Sequence, residues 1–189
     1  MVTLCMPEPL PKEFYLQNTE YVARQLIGCI LSVPGYHVRL TETEAYLPAN
    51  DAACHASRGI TRRNAPMFND GGILYLYLIY GLHWCCNIVT EPAGLGAAVL
   101  LRAGIVGTTL ADLVPGPGAA TRLISGPGRL TRHLRLDGRQ NCVSVLGSAG
   151  FSVQRDIHTD TYQQHIQATP RIGITHGREH LLRFVVDGS

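Results

Sequence analysis

From Cys29 to Val33 and again from Tyr36 to Tyr46, β-branched residues and apolar/polar alternation flank a Pro34-Gly35 pair. Alternation of period two fits an extended strand that shows one face to a core and one to solvent, and Pro-Gly supplies the reversal, so the stretch predicts a β-hairpin. A second hairpin is predicted where Gly71-Gly72 leads into Ile73 to Ile79, a Tyr80-Gly81-Leu82 tip and Trp84 to Val89. Ala97 to Val106 reads as a further buried strand and Leu182 to Asp187 as a terminal one.

Helical signals are fewer. Asn18 or Thr19 can cap a short helix that carries Glu20 in its first turn and Tyr21, Val22, Gln25 and Leu26 at helical spacing before Gly28. Pro127 to Leu136 has the same spacing behind Ser125-Gly126-Pro127-Gly128. Hairpins mixed with short helices predict an α+β fold, a single mixed domain, rather than a doubly wound sheet. The 189-residue length suits one domain, and neither an internal repeat nor a long linker divides it. Pro7, Pro9 and Pro11 remove backbone donors, so residues 1–13 read as an extended lead-in and residues 14–189 as the domain.

Charge alone names no partner. The formal net charge is +2, but Lys12 is the only lysine among 16 basic residues. Arginine suits bidentate phosphate contacts, and a bias in codon usage would give the same excess. The six cysteines form no C-x-x-C pair, and the start of the chain lacks a basic, apolar secretory pattern, so reduced thiols are expected. The longest apolar run, Ile73 to Trp84, is broken by tyrosines and Gly81 and is too short for a membrane span.

The residues able to do chemistry cluster on the predicted strands. Period two puts Glu42, Glu44 and Tyr46 on one face of their strand and Thr41, Thr43 and Ala45 on the other. A solvated sheet face gives that pattern too. Tyr75 and Tyr77 share a face of the second hairpin, as packed core tyrosines also do, and Tyr80 sits where a turn pushes its ring outward. An aromatic at such a tip can take the place of a base in a nucleic-acid stack, while rings nearby hold the expelled base.

In order along the chain, TETEAY, RNAPMF, YLYLIYGLHWCCN, AVLLRA, SGPGRL and PRIGIT resemble the successive motifs of the alkyladenine (3-methyladenine, N-methylpurine) DNA glycosylase family, over roughly Phe14 to Val186. The resemblance implies a curved antiparallel β-sheet core with surrounding helices and a protruding β-hairpin, like the C-terminal domain of formyltransferases. It implies that Glu44 activates the attacking water and that Tyr46, His55 and Tyr77 line and stack the flipped-base pocket. By the same comparison Tyr80 is the intercalating wedge, Asn87 screens purine substituents, and Arg102 lies near the catalytic water and the DNA. Gly107 to Arg122, Cys54-His55-Ala56-Ser57 and His83-Trp84 depart from the family's pattern.

The activity implied by the resemblance is that of a monofunctional glycosylase acting as a monomer on double-stranded DNA that contains a damaged purine. No cofactor, metal or membrane is expected; the compartment is the cytoplasm and nucleoid of a bacterium or the nucleus of a eukaryote. Electron-rich rings favour a cationic alkylated purine by roughly 0.5 to 2 kcal/mol each. Lysine chemistry is not expected, because Lys12 lies in the proline-flanked lead-in. Backbone donors at Gly128 and the side chain of Arg129 suit a DNA phosphate, although a purely structural helix start would look the same.

Three other readings fit parts of the chain. A non-catalytic nucleic-acid-binding module would use the same aromatics and arginines without turnover. A sugar-directed glycosidase could use Glu42 and Glu44, whose spacing of about 7 Å on one strand face approaches that of inverting enzymes. His176-Gly177-Arg178-Glu179-His180 matches a zinc-peptidase pattern but lacks a clear third ligand, and is read as a surface helix.

Overall fold

A computed structural model describes residues 8–114 and 122–187. Ten strands join in one antiparallel sheet: β1 (Ile30–Val33), β2 (Tyr36–Tyr46), β3 (Leu74–Ile79), β4 (His83–Thr90), β5 (Ala97–Gly107), β6 (Leu123–Ser125), β7 (Leu146–Ser148), β8 (Phe151–Gln154), β9 (Ile166–Thr169) and β10 (Arg183–Val186). The helices are short: α1 (Lys12–Tyr15), α2 (Thr19–Gln25), α3 (Pro127–His133) and α4 (Thr159–Gln163). Both predicted hairpins form, as β1–β2 and β3–β4. Among the described residues, no helix is long and apolar enough to cross a membrane.

The sheet runs β3-β4-β5-β2-β1-β8-β7, and β2 is its pivot. It pairs with β5 along most of its length, with β1 at its first residues, and with β10 from Glu42 to Glu44. Exchanging one neighbour for another along a single strand curls the sheet. In the β2–β5 ladder Leu40 faces Gly104, Glu42 faces Ala103 and Thr43 faces Leu101, so Thr41 and Arg102 each bulge out of register. Bulges kink a strand and re-aim side chains, and these two lie beside Glu42 and Glu44.

Alternation divides the sheet into two faces. Ala45, Leu74, Leu76, Cys86, Ile88, Val99 and Leu101 point into the main core, where Val22 and Ala23 of α2, Leu26 just after it and Leu130 of α3 cover them. Asn18 caps α2 by accepting from the backbone N–H groups of Glu20 and Tyr21. On the opposite face, Tyr75, Val89 and Ala98 pack with Cys54, Ala56 and Met67 from the long 48–70 connection. Asn64, from the RNAPMF stretch, staples that connection by donating to the carbonyls of His55 (2.8 Å) and Gly59 (3.0 Å) while accepting from Thr61 N–H (2.6 Å).

Two sequence expectations change. His176 to His180 is a turn with Gly177 at φ +70°, not a helix, so the spacing that would bring its histidines onto one face does not arise. Toward the start, Pro9 already bridges Gln154, and α1 forms a helical turn beginning at Lys12. Residues 115–121 of the Gly/Pro-rich stretch lie outside the described residues.

Arg39 and Asp156 tie β2 to the chain after β8. The guanidinium is wholly buried, forks onto both Asp156 oxygens (2.8 and 2.7 Å) and donates to the carbonyls of Gly28 and Leu113. Burial pushes the Asp156 carboxyl up, but the Arg39 fork together with His158 N–H and the Thr159 hydroxyl outweighs it and holds the group below the ordinary 3.8. A depressed carboxyl stabilises the fold above its unfolded pKa, and that contribution is lost as pH falls through the folded value. Asp156→Asn, which leaves the buried guanidinium without a counter-charge, is expected to lower unfolding stability by about 3 kcal/mol in urea at pH 7. The gap from the native chain should close below about pH 4. A gap that persists undiminished into acid would mean that the charge pair is not its source.

Candidate active site

Glu44 is fully buried and surrounded by donors. Its Oε1 accepts from Ile172 N–H at 2.8 Å; its Oε2 accepts from the Tyr46 hydroxyl at 2.9 Å and lies 3.3 Å from an Arg102 nitrogen. Arg102 also donates from Nε to Glu42 (2.9 Å), and Arg183 reaches the same Glu42 oxygen at 2.6 Å. Two carboxylates can therefore sit side by side because two guanidinium groups interleave with them. The shared face expected for Glu42, Glu44 and Tyr46 is real, but it is buried rather than solvated. Burial pushes the Glu44 carboxyl up, Arg102, Ile172 N–H and the Tyr46 hydroxyl pull it down, and Glu42 adds to the rise; the net direction is upward.

In front of Glu44 lies a cleft of about 540 Å³, bounded by Tyr46, Arg102 and Ile172 on the Glu44 side and by His55, Tyr75 and Tyr77 around it. That volume is in the range of small-molecule sites, about 300–1,000 Å³. Glu44 sits one layer behind this surface, addressed by three groups that form it. Tyr77 meets the His55 ring edge-on at 4.5 Å and lies 5.7 Å from the Tyr75 ring. The His55 Nδ1 and the Tyr75 hydroxyl hydrogen-bond at 3.1 Å. Burial, then the Arg63 charge, holds the His55 imidazole below its ordinary value, so the ring is neutral near pH 7. Burial also pushes the Tyr46 and Tyr77 phenols up, which keeps both as hydroxyl donors. Asn87 lines the cleft and donates its amide to the Tyr75 carbonyl at 3.0 Å, which fixes its side chain.

Tyr80 stands at the cleft's rim and is 85% exposed. Tyr80 (φ +52°) and Gly81 (φ +68°) are both left-handed, and Leu82 N–H closes the turn onto the Ile79 carbonyl at 3.0 Å. Two left-handed central residues suit the twist of a tight hairpin, so the exposed ring rides on a stiff support. The start of α3 abuts the hairpin base: Pro127 lines the cleft, and a Cβ on Gly128 would come within 3.1 Å of His83 Cβ. Arg129 follows on the exposed surface.

Sequence reasoning missed the support behind this arrangement. Arg171 forks onto Asp51 (2.6 and 2.7 Å), donates to the Ala45 carbonyl and lies 4.7 Å from the Tyr46 ring centre. This buried pair pins residue 171, and so sets the next backbone N–H, that of Ile172, on Glu44. Arg171 belongs to the PRIGIT stretch, but nothing in its spacing points to Asp51, 120 residues earlier. The glycosidase reading is not supported by geometry, since Glu42 is claimed by both Arg102 and Arg183.

Comparison with known proteins agrees with the geometry. The family model described as methylpurine-DNA glycosylase matches residues 13–189. A relative from Corynebacterium glutamicum named "Putative 3-methyladenine DNA glycosylase" is 44% identical over 173 residues, covering 90% of this chain and 89% of its own. Relatives of the same name from Sodalis glossinidius and a Wolbachia of Brugia malayi are 39% and 40% identical, covering 93% and 95% of this chain and 95% and 98% of theirs. With an aromatic cleft, a buried carboxylate behind it and a match across nearly the whole sequence, the chain belongs to the methylpurine-DNA glycosylase family.

Proposed function

We propose that this enzyme flips an alkylated or deaminated purine out of duplex DNA and hydrolyses its N-glycosidic bond, leaving an abasic site and an intact strand. The observation that carries the reading is Glu44 itself, a buried carboxylate held by Tyr46, Arg102 and Ile172, one layer behind the surface of a cleft walled by tyrosines. Hydrolysis needs a base on the face of the sugar opposite the departing purine, and Glu44 is the carboxylate that takes the water's proton. As the bond to the base breaks, C1′ gains oxocarbenium character and the negative charge of Glu44 stabilises it. Arg102 favours the ionised carboxylate against the effect of burial.

The base is held by its faces and tested at its edge. Tyr46, Tyr77 and His55 sandwich a flipped purine, and the anchored Asn87 screens its substituents. Tyr80 fills the space the base leaves, while Gly128 and Arg129 hold the phosphate backbone beside the hairpin. Among the described residues no lysine lines the cleft, and Lys12 is engaged at 2.7 Å by Asp70, so a Schiff-base route has no amine there and the reaction is plain hydrolysis. Residues 14–189 act as one catalytic domain and the chain works as a monomer. 3-Methyladenine and 7-methylguanine are the expected substrates, with hypoxanthine and ethenoadenine as further candidates. Its relatives come from bacteria, and the nucleoid is the expected place of action.

Single-turnover release of base from duplexes carrying one 7-methylguanine, hypoxanthine or ethenoadenine tests the reading. Glu44→Gln is expected to lose at least about a hundredfold in rate while keeping its affinity for damaged DNA, and to melt no lower than the native chain, because a carboxyl with a raised pKa opposes folding once ionised. Binding without release by the native chain would identify a non-catalytic module instead. In the native enzyme the rate should fall as pH drops through the Glu44 pKa, with its half-point above the ordinary 4.5; a half-point at or below that value would remove Glu44 as the base. Tyr80→Ser should slow release by about tenfold or more and shift unfolding by no more than about 0.5 kcal/mol, as expected for an exposed tip. A large loss of stability would show that the ring is structural.

A further inference from the structure

The two clamp tyrosines each carry an arginine against the ring, but the two guanidinium groups differ. Behind Tyr46, Arg171 is buried and both its terminal nitrogens sit on Asp51, so its charge is compensated within 3 Å. Beside Tyr77, the guanidinium carbon of Arg63 lies 5.2 Å from the ring centre, and, among the described residues, its one hydrogen bond is to the Leu78 carbonyl at 3.3 Å. Among the described residues no carboxylate pairs with Arg63, and the residue lines the cleft. A cation on an aromatic face draws on the same ring quadrupole that a cationic base would use, and it repels that base directly. The reach of the Arg63 charge into the cleft is visible in its neighbours: after burial, it is what holds down the His55 imidazole, and it lowers the Tyr75 phenol against the rise that burial causes.

From this asymmetry we propose that Arg63 is a specificity-determining residue, which weakens the attraction of the Tyr77 ring for cationic alkylated purines and so shifts the enzyme's preference toward neutral damaged purines. The inference rests on the glycosylase reading above. Tyr46, whose arginine is neutralised, retains its pull on a cation, and Tyr77 supplies stacking without it. The cleft thereby keeps both purine classes within reach rather than favouring charge alone. Arg63 acts on the base electrostatically and takes no part in bond cleavage, so its removal should change which base is favoured more than it changes the chemistry.

The test is the ratio of single-turnover rates, at saturating enzyme, for duplexes with one 7-methylguanine (cationic) and one hypoxanthine (neutral). In Arg63→Gln the ratio of 7-methylguanine to hypoxanthine release should rise about tenfold over that of the native enzyme, corresponding to about 1.4 kcal/mol. Arg63→Lys, which keeps the charge near the ring, should stay within about twofold of native. If Arg63 only grips a phosphate, Arg63→Gln will bind both duplexes more weakly to the same degree and leave the rate ratio unchanged, and the proposal fails. It also fails if Arg63→Lys and Arg63→Gln behave alike. Release of neither base by the native protein would instead overturn the glycosylase reading, an outcome seen without any variant.

Discussion

A carboxylate cannot be taken out of water without partners, and much of this fold is arranged around the one at Glu44. An unpaired buried charge costs several kcal/mol, so its donors must be in place whenever the chain is folded. They come from three separate stretches: Tyr46 from the same strand, Arg102 from β5, and Ile172 from a loop more than a hundred residues later. Each donor is itself held. Arg102 is fixed by Glu42, which is shared with Arg183 of β10, and Ile172 follows Arg171, whose fork onto Asp51 is buried. The carboxylate thus demands that β2, β5, β10 and the 170–176 loop converge at one place, and the bulges at Thr41 and Arg102 re-aim the strands where they do.

The curled sheet separates this polar region from the part of the protein that drives folding. Residues facing α2 and α3 are apolar and close-packed, while their strand neighbours on the other face are the tyrosines, Asn87 and Glu44. Neighbouring positions on a strand point to opposite sides, so a strand can serve the core and the cleft at once, as β3 does with Leu74 and Leu76 against Tyr75 and Tyr77. The 48–70 connection then closes the second face, with Asn64 holding its carbonyls and His55 placed against the Tyr77 ring.

Much of this architecture is legible in the sequence. Both hairpins, a cap at Asn18 or Thr19 and the shared face of Glu42, Glu44 and Tyr46 follow from period and turn chemistry, which are local, and the structure puts the cap on Asn18. The motif resemblance adds an order of segments and an assignment for His55 and Asn87, which no periodicity would single out. Long-range charge pairing is not legible. Arg171 with Asp51 and Arg39 with Asp156 join residues more than a hundred positions apart, and a lone arginine in a loop looks the same in sequence whether it ends in solvent or in a buried fork. The His176 to His180 segment misleads for the opposite reason: its spacing is helical, but Gly177 adopts a left-handed conformation that a helix does not accommodate.

The positions that break local rules are concentrated around the cleft. Glu44 is an acidic residue wholly buried, with its carboxyl pushed up from its ordinary value by burial, and Tyr80 is a large ring in a left-handed conformation with most of its surface in water. Neither would be chosen for stability alone, and each is supported by structure that is conventional: the donor set around Glu44, and a hairpin whose turn suits left-handed residues. A strained or desolvated group persists only when its surroundings over-determine it. Here those surroundings are the antiparallel ladder and the packed core behind it, so the stiff turn under Tyr80 and the burial that shifts the Glu44 carboxyl draw on the same sheet.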